Sequence, residues 1–278
     1  MTTRLFLASI LAAGLLLALP GWTAAQARDG QPAVETIVEK TNCVAYYQGK
    51  DGRALVSMVI SDAQGRTRQR QFTILRWDDE PAAAPPDSVC GEQKYYVYFH
   101  RPADVRRTVF LVWKHVAKDD DRWLYLPALD LVKRIAASDE RTSFVGSHFF
   151  YEDVSGRSIA EDTHELVQTT DHYYVLRNVP KNPESVEFVA FTMWVHRQSF
   201  LPVRVVYYDR QGEPYRVYEA LKVDRIQGYP TVTQARMRDQ RLGGETVITY
   251  ERVQYNLGLP ESLFSERYLR HPPREYLR

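Results

Sequence analysis

Apolar positions along the chain switch from a helical to a strand period near residue 53. Ahead of the switch, Pro32 opens a segment in which Val34, Ile37 and Val38 recur at i, i+3 and i+4 against Glu35, Glu39 and Lys40. That spacing predicts a helix with one apolar stripe to lay on a sheet. Beyond the switch, Ala54, Val56, Met58 and Ile60 alternate, Asp62, Ala63, Gln64 and Gly65 supply a turn, and residues 66–75 return, which predicts a hairpin. Residues 78–91 carry Pro81, Pro85 and Pro86, too much proline for a central strand, and predict a surface excursion. Strand-like runs resume at 94–100, 108–113, 123–126 and 131–136. They continue at 164–170, 173–179, 187–196, 202–208, 215–223, 231–238 and 245–255, with turn residues such as Asn182, Pro183, Gly212, Gly228, Gly243 and Gly244 between them. Many short strands at this spacing predict a mainly β (α+β) antiparallel meander closing toward a barrel. Residues 138–156 are aperiodic, polar first and aromatic later, and predict an irregular lid with a helical piece. The tail 263–278, with Pro272, Pro273 and several arginines, is expected to be loosely held.

Arg4 precedes a predominantly apolar run at 5–19, short of the ~20 residues a spanning helix needs. Pro20, Gly21, Ala24, Ala25, Gln26 and Ala27 follow, so residues 1–27 read as a cleavable secretory signal, with a retained anchor as the alternative. The expected organisation is a signal over 1–27 and one domain over 28–278, delivered to the periplasm, because no long linker or solenoid-length repeat divides the chain.

Lysine and arginine total 36 and aspartate and glutamate 35, and Arg4 is the single charge within 1–27. A balanced mature chain argues against nucleic acid as a partner and against simple electrostatic binding to membranes. The two cysteines, Cys43 and Cys90, would form a disulfide in an oxidising compartment, restricting the unfolded chain by roughly 4 kcal/mol on the loop-entropy account. Two separate buried thiols are the alternative.

The densest combination of aromatics, paired charges and turn residues runs from Arg122 to Arg157. It holds WLYLP at 123–127, Lys133 and Arg134 before Ile135, SFVGSHF at 143–149, and Tyr151, Glu152 and Asp153. In order and spacing this resembles the LolA-like group of periplasmic outer-membrane lipoprotein-sorting proteins, with Val145 where the group usually has Met and His148 where it usually has Asp. Outlying matches at Met58, 65–70, 101–104, 201–202, 207–209, 258–260 and 263–264 extend the resemblance over roughly residues 37–269. The resemblance implies a strongly curved antiparallel sheet forming an incomplete barrel, with helices covering an apolar cavity. His148 in place of a carboxylate puts any grip of that carboxylate on a cationic partner in question.

Candidate chemistry is sparse. His164 and His172 each lie near an aspartate, but adjacent strand residues face opposite ways, so both read as surface residues. Glu152 and Asp153 beside His148 lack a second histidine at ligand spacing. They read better as carboxylates near Arg141 and Arg157 in a solvated loop, or as caps of a helix start. Ser143 and Ser147 have no activating base as a sequence neighbour, and no metal, cofactor or catalytic residue is implied.

The remaining signal is aromatic. Trp123, Tyr125, Phe144, Phe149 and Tyr151 are expected at the cavity mouth and lid as lipid-binding residues, with Gly146 as the lid hinge. The expected function is a non-enzymatic periplasmic carrier that shields acyl chains of a lipoprotein or lipid between the inner and outer membranes, touching each transiently. Alternatives are a lipid-sensing regulator of envelope stress and a periplasmic accessory subunit of an inner-membrane exporter.

Overall fold

Every strand of this chain pairs antiparallel with its neighbours, yet the first strand and the last lie side by side in the middle of the sheet. In the computed structural model, which describes residues 31–79, 91–116, 118–136 and 139–278, the strands are β1 (Asp51–Ser61), β2 (Thr67–Asp78), β3 (Gln93–Arg101), β4 (Val109–Lys114), β5 (Asp121–Leu126) and β6 (Leu131–Ile135). They continue as β7 (Asp162–Thr169), β8 (Tyr173–Pro180), β9 (Ala190–His196), β10 (Pro202–Tyr208), β11 (Pro214–Ile226), β12 (Tyr229–Asp239) and β13 (Glu245–Tyr255). Their order is β6-β5-β4-β3-β2-β1-β13-β12-β11-β10-β9-β8-β7, an open 13-stranded sheet. Each strand-like run of the sequence is a strand here. The expected signal at 1–27 and Cys90, the proposed partner of Cys43, lie outside the described residues. Cys43 itself is half-buried on the first helix.

Among the described residues three short α-helices accompany the sheet: α1 (Val34–Tyr46), α2 (Tyr151–Ser155) and α3 (Arg267–Arg270). The predicted stripe places α1, since Ile37 and Val38 pack on Tyr174, Leu176 and Val195 of β8 and β9, with Val34 against the same cluster. The C-terminal end of α1 is fixed by Gln93, whose side-chain amide donates to the Tyr46 carbonyl at 2.7 Å, and by the Arg76 guanidinium, which donates to the same carbonyl and to that of Gly49. These cations and amides satisfy carbonyls that the helix leaves open.

The middle strands bury both faces, which is why their sequences run apolar without a clean alternation. Tyr95, Val97 and Phe99 of β3 and Phe110 and Val112 of β4 face one core with Ala54, Val56, Met58 and Ile60. Tyr96, Val109 and Leu111 face the other core, against Leu259, Leu263, Phe264, Leu269 and Leu277. The tail expected to be loose is therefore an integral layer. Trp113 Nε1 donates to the Phe264 carbonyl at 2.6 Å, Tyr96 donates its hydroxyl to the Tyr268 carbonyl at 2.7 Å, and Arg270 pairs with Asp130 at 3.0 Å. Arginines and prolines hid Leu263, Phe264, Leu269 and Leu277 as apolar anchors of the tail.

Strands β6 and β7 are the two edges of the sheet, so the chain between them must travel from one edge to the other. This connector, residues 136–161, holds the turn Phe144–Gly146, α2 and the turn Ile159–Glu161. Residues 32–278 form one compact unit.

Candidate functional site

A cavity of about 370 Å3 draws its wall from α1, from the connector and from β1, β2, β3 and β7 to β13. In a flat sheet the eight steps from β3 to β8 would separate those strands by roughly 38 Å at about 4.8 Å per step. One cavity touching both requires the sheet to curl. Its wall is mostly apolar, including Ile74, Leu176, Phe191, Met193, Val205 and Ile248. A volume of this size sits at the lower end of the ~300–1,000 Å3 common for small-molecule sites.

Several polar groups interrupt that wall. The rings of Tyr46, Tyr207, Tyr218 and Tyr250 line the cavity, and among the described residues none of the four hydroxyls has a hydrogen-bond partner. Burial pushes all four phenols above their ordinary range, Tyr250 to about 12, with the Asp153 carboxylate adding to the effect. Such hydroxyls stay neutral and can donate to an ester, amide or carboxyl oxygen inside an otherwise apolar space.

The connector is tied down along its length by charges. Arg216 of β11, buried, pairs with Asp153 and donates to the His148 carbonyl at 3.2 Å, while its guanidinium stacks 3.9 Å from the Phe150 ring centroid. Asp153 also accepts from the Phe150 amide at 2.6 Å, capping the start of α2. Arg157 bonds Glu152 at 3.0 Å, Glu161 at 2.7 Å and Asp162 at 3.0 Å, and Arg122 bonds Asp120 and Glu140 at 2.7 Å each. Lys114 Nζ donates to the Ser155 and Gly156 carbonyls at 2.8 and 3.3 Å. Burial holds Lys114 down to about 8, and burial likewise raises Glu140, Glu152 and Glu161 above the usual carboxylate range.

The carboxylates of Glu140, Glu152 and Glu161 converge within 4.8 Å of one another. Each is already bonded to Arg122, Arg141 or Arg157, so guanidinium groups balance this cluster. Pairing of Glu152 with Arg141 and Arg157, and capping by Asp153, follow the sequence reading, but the expected solvated loop is instead buried. His148 takes no part in that cluster, since its amide and Nδ1 both meet the Thr246 hydroxyl, at 3.0 and 2.8 Å. Asp153, not residue 148, supplies the carboxylate that grips Arg216. His164, expected at the surface, lines the cavity half-buried, its ring nitrogens against Asn178 at 2.7 Å and the Ile159 carbonyl at 2.9 Å. The hydroxyl of Ser143 donates to the Ser147 carbonyl at 2.6 Å, and that of Ser147 to the Phe149 carbonyl at 3.2 Å.

The aromatic residues singled out in the sequence separate into three groups. Phe144 and Phe149 line the cavity. Tyr151 packs behind them, its ring 5.4 Å from Phe144 and 4.9 Å from Phe110. Trp123 and Tyr125 lie on the other face of the sheet under the C-terminal tail, away from the cavity wall, with Trp123 4.7 Å from Trp113 and Arg270 5.8 Å from the Tyr125 ring. Adjacent placement in the sequence signature concealed this division, because strand and connector meet opposite faces. Gly146 adopts φ 79° beside Val145 at φ 47°, with the Arg68 guanidinium donating to its carbonyl at 3.4 Å. Sequence reasoning missed Arg216, Tyr46, Tyr218 and Tyr250. The period-two pattern of β11 and β13 could have placed Tyr218 and Tyr250 on the inner face, whereas nothing local marks Arg216.

Solved structures share this architecture. A DUF1329 family protein from Desulfovibrio piger is 28% identical, with a TM-score of 0.73 over 85% of this chain and 97% of its own. A domain from Vibrio parahaemolyticus described as an outer membrane lipoprotein-sorting protein is 25% identical, with a TM-score of 0.73 over 84% and 97%. A LolA superfamily protein from Nitrosomonas europaea, at 18% identity, a TM-score of 0.65 and coverage of 86% and 100%, shares the fold. No curated protein matches the chain. A family model described as "-like: Uncharacterized protein" matches residues 91–271, more than half of the sequence, so the chain belongs to that family, and its structural neighbours are DUF1329 and LolA superfamily proteins.

Proposed function

We propose that this protein is a non-enzymatic periplasmic carrier whose cavity holds the acyl chains of a lipid or lipoprotein while they pass between membranes. One observation carries the reading: a curled sheet encloses a mostly apolar cavity whose unpartnered hydrogen-bonding groups include four neutral tyrosine hydroxyls. Shielding roughly ten methylenes at about 0.8 kcal/mol each would yield ~8 kcal/mol, enough for micromolar binding that remains reversible. Phe144 and Phe149 would contact the chain from the connector side, and the phenols would meet the polar end of the acyl group.

The lipoprotein-sorting description of the Vibrio domain supports the lipid class of cargo. Among the described residues no helix is long and apolar enough to cross a membrane, in keeping with a carrier that touches membranes transiently. Delivery through a signal at 1–27, and handover by an inner-membrane exporter, belong to the same proposal. Titration of delipidated protein with a fluorescent fatty acid, followed by competition with phospholipid and with acylated peptide, tests it. Saturable uptake displaced by an acylated competitor is the expected result, and uptake that rises linearly without saturation would remove the reading.

A further inference from the structure

The outer face of the sheet carries a second concavity, a groove of about 580 Å3 across β3, β2, β1 and β13. Arg53, Arg101, Arg252 and Arg278 line it together with His100 and Gln254, and none of its lining residues is an aspartate or glutamate. None of the four arginines makes an ion pair among the described residues, although elsewhere in this chain Arg122, Arg141, Arg157 and Arg216 are each paired. Glu251, opposite Leu55 in the neighbouring strand, accepts from the Ser57 hydroxyl at 2.9 Å.

Strand irregularity helps gather the charges. The β1–β13 register shifts between Arg53 and Leu55, and Arg252 sits in the shifted stretch with φ 50°, so a bulge re-aims its side chain. The β2–β3 register shifts again between Gln71 and Phe72, next to Arg101. Arg53 is held in place by donation to Gln254 Oε1 at 2.6 Å, and the Thr73 hydroxyl donates to the Leu277 carbonyl at 3.1 Å while meeting His100 Nε2 at 2.8 Å. Burial, and then the Arg101 charge, hold the His100 imidazole below its ordinary range.

We infer that this groove is a docking site for the phosphate of an anionic lipid head group at a bilayer surface. Guanidinium groups match phosphate oxygens in charge and in bidentate geometry, and the side-chain amides of Gln71 and Gln254 add neutral donors. The membrane source is favoured by position, because Arg53 and Gln254 line both the groove and the acyl cavity. Docking here sets the cavity wall beside the lipid surface. The balanced net charge of the whole chain makes this a local attraction and not a general affinity for polyanions.

Co-sedimentation of the full chain with vesicles of phosphatidylglycerol and phosphatidylcholine, against vesicles of phosphatidylcholine alone, tests the site at fixed pH and low salt. Binding to the anionic vesicles is expected, with Arg101→Gln and Arg252→Asn each weakening it about fivefold. Asn tolerates the left-handed backbone at position 252, and neither residue lines the cavity, so acyl-probe uptake should be unchanged in both. Equal binding to both vesicle types, or full binding by both variants, would overturn the inference. Inorganic pyrophosphate that shifts the His100 ring resonances while the vesicles fail to bind would overturn the lipid source.

Discussion

Arg216 on β11 and Asp153 on α2, 63 residues apart in sequence, form a buried ion pair that joins the connector to the sheet wall of the cavity. Burial would lower the guanidinium and the Asp153 charge raises it, so the net displacement of Arg216 is upward. Removing one member strands the other charge, at a cost of about 3–5 kcal/mol, while replacing both with apolar residues of similar volume costs far less. Asp153→Asn and Arg216→Met should each lower the urea midpoint sharply, and the double variant Asp153→Leu with Arg216→Met should recover much of the loss. Additive losses in the double variant would show that the pair is not the tie described.

Phe144 is fully buried, with ring centroids of Phe72, Phe99, Phe110 and Tyr151 at 5.4–6.0 Å. Phe144→Ala should therefore destabilise the fold by about 3–5 kcal/mol. Met193, half-buried on β9 and lining the cavity, offers the converse experiment. Met193→Trp fills space, costing about 1–3 kcal/mol by overpacking while lowering acyl uptake at least tenfold. Paired unfolding curves and probe titrations check both, and full uptake by Met193→Trp would mean that chains do not enter past this position.

Lys114 supplies a pH dependence whose sign is fixed by its environment. Its folded-state value near 8 lies below the ordinary lysine value of 10.5, so between those two the unfolded chain binds more protons and stability rises with pH. From pH 8 to 9.5 the wild type should gain about 1.5 kcal/mol relative to Lys114→Met, at ~1.4 kcal/mol per unit once the folded group has lost its proton. The window stops short of the raised tyrosines, whose ionisation works in the opposite direction. Identical pH slopes for the two proteins would place Lys114 in solvent.

Gly156, at the end of α2, has φ 83°, and a Cβ there would stand 2.7 Å from the Tyr46 ring. Gly156→Ala should push the connector away from α1 and destabilise by about 1–3 kcal/mol through strain and displaced packing. Hydrogen exchange of α1 and α2 amides is the readout, with faster exchange in both expected. Unchanged exchange would show that the two segments move independently.

The strand count and the helix stripe were legible because period-two and period-3.6 patterns are local properties of the chain. The order of strands was not, since pairing of β1 with β13 joins residues such as Met58 and Ile248 that no local pattern connects. The same limit applies to the site. Phe144 and Phe149 stood out by composition and do reach the cavity, whereas Trp123 and Tyr125 stood out equally and lie under the tail, because Leu263, Phe264 and Leu269 form a second core. Glu152 could be matched to Arg141 and Arg157 within its own segment, but Arg216 reaches Asp153 only through the curl of the sheet.

Photo-crosslinking reports whether acyl chains occupy the cavity. A fatty acid carrying a diazirine near its terminal methyl would be bound to delipidated protein, irradiated and mapped by peptide mass spectrometry. Labels on cavity residues such as Leu176, Met193, Val205 and Tyr218, suppressed by excess unlabelled acyl ligand, are the predicted result. Labels confined to the opposite face around Trp123 and Tyr125, or labelling that excess ligand does not suppress, would mean that acyl chains do not occupy the cavity.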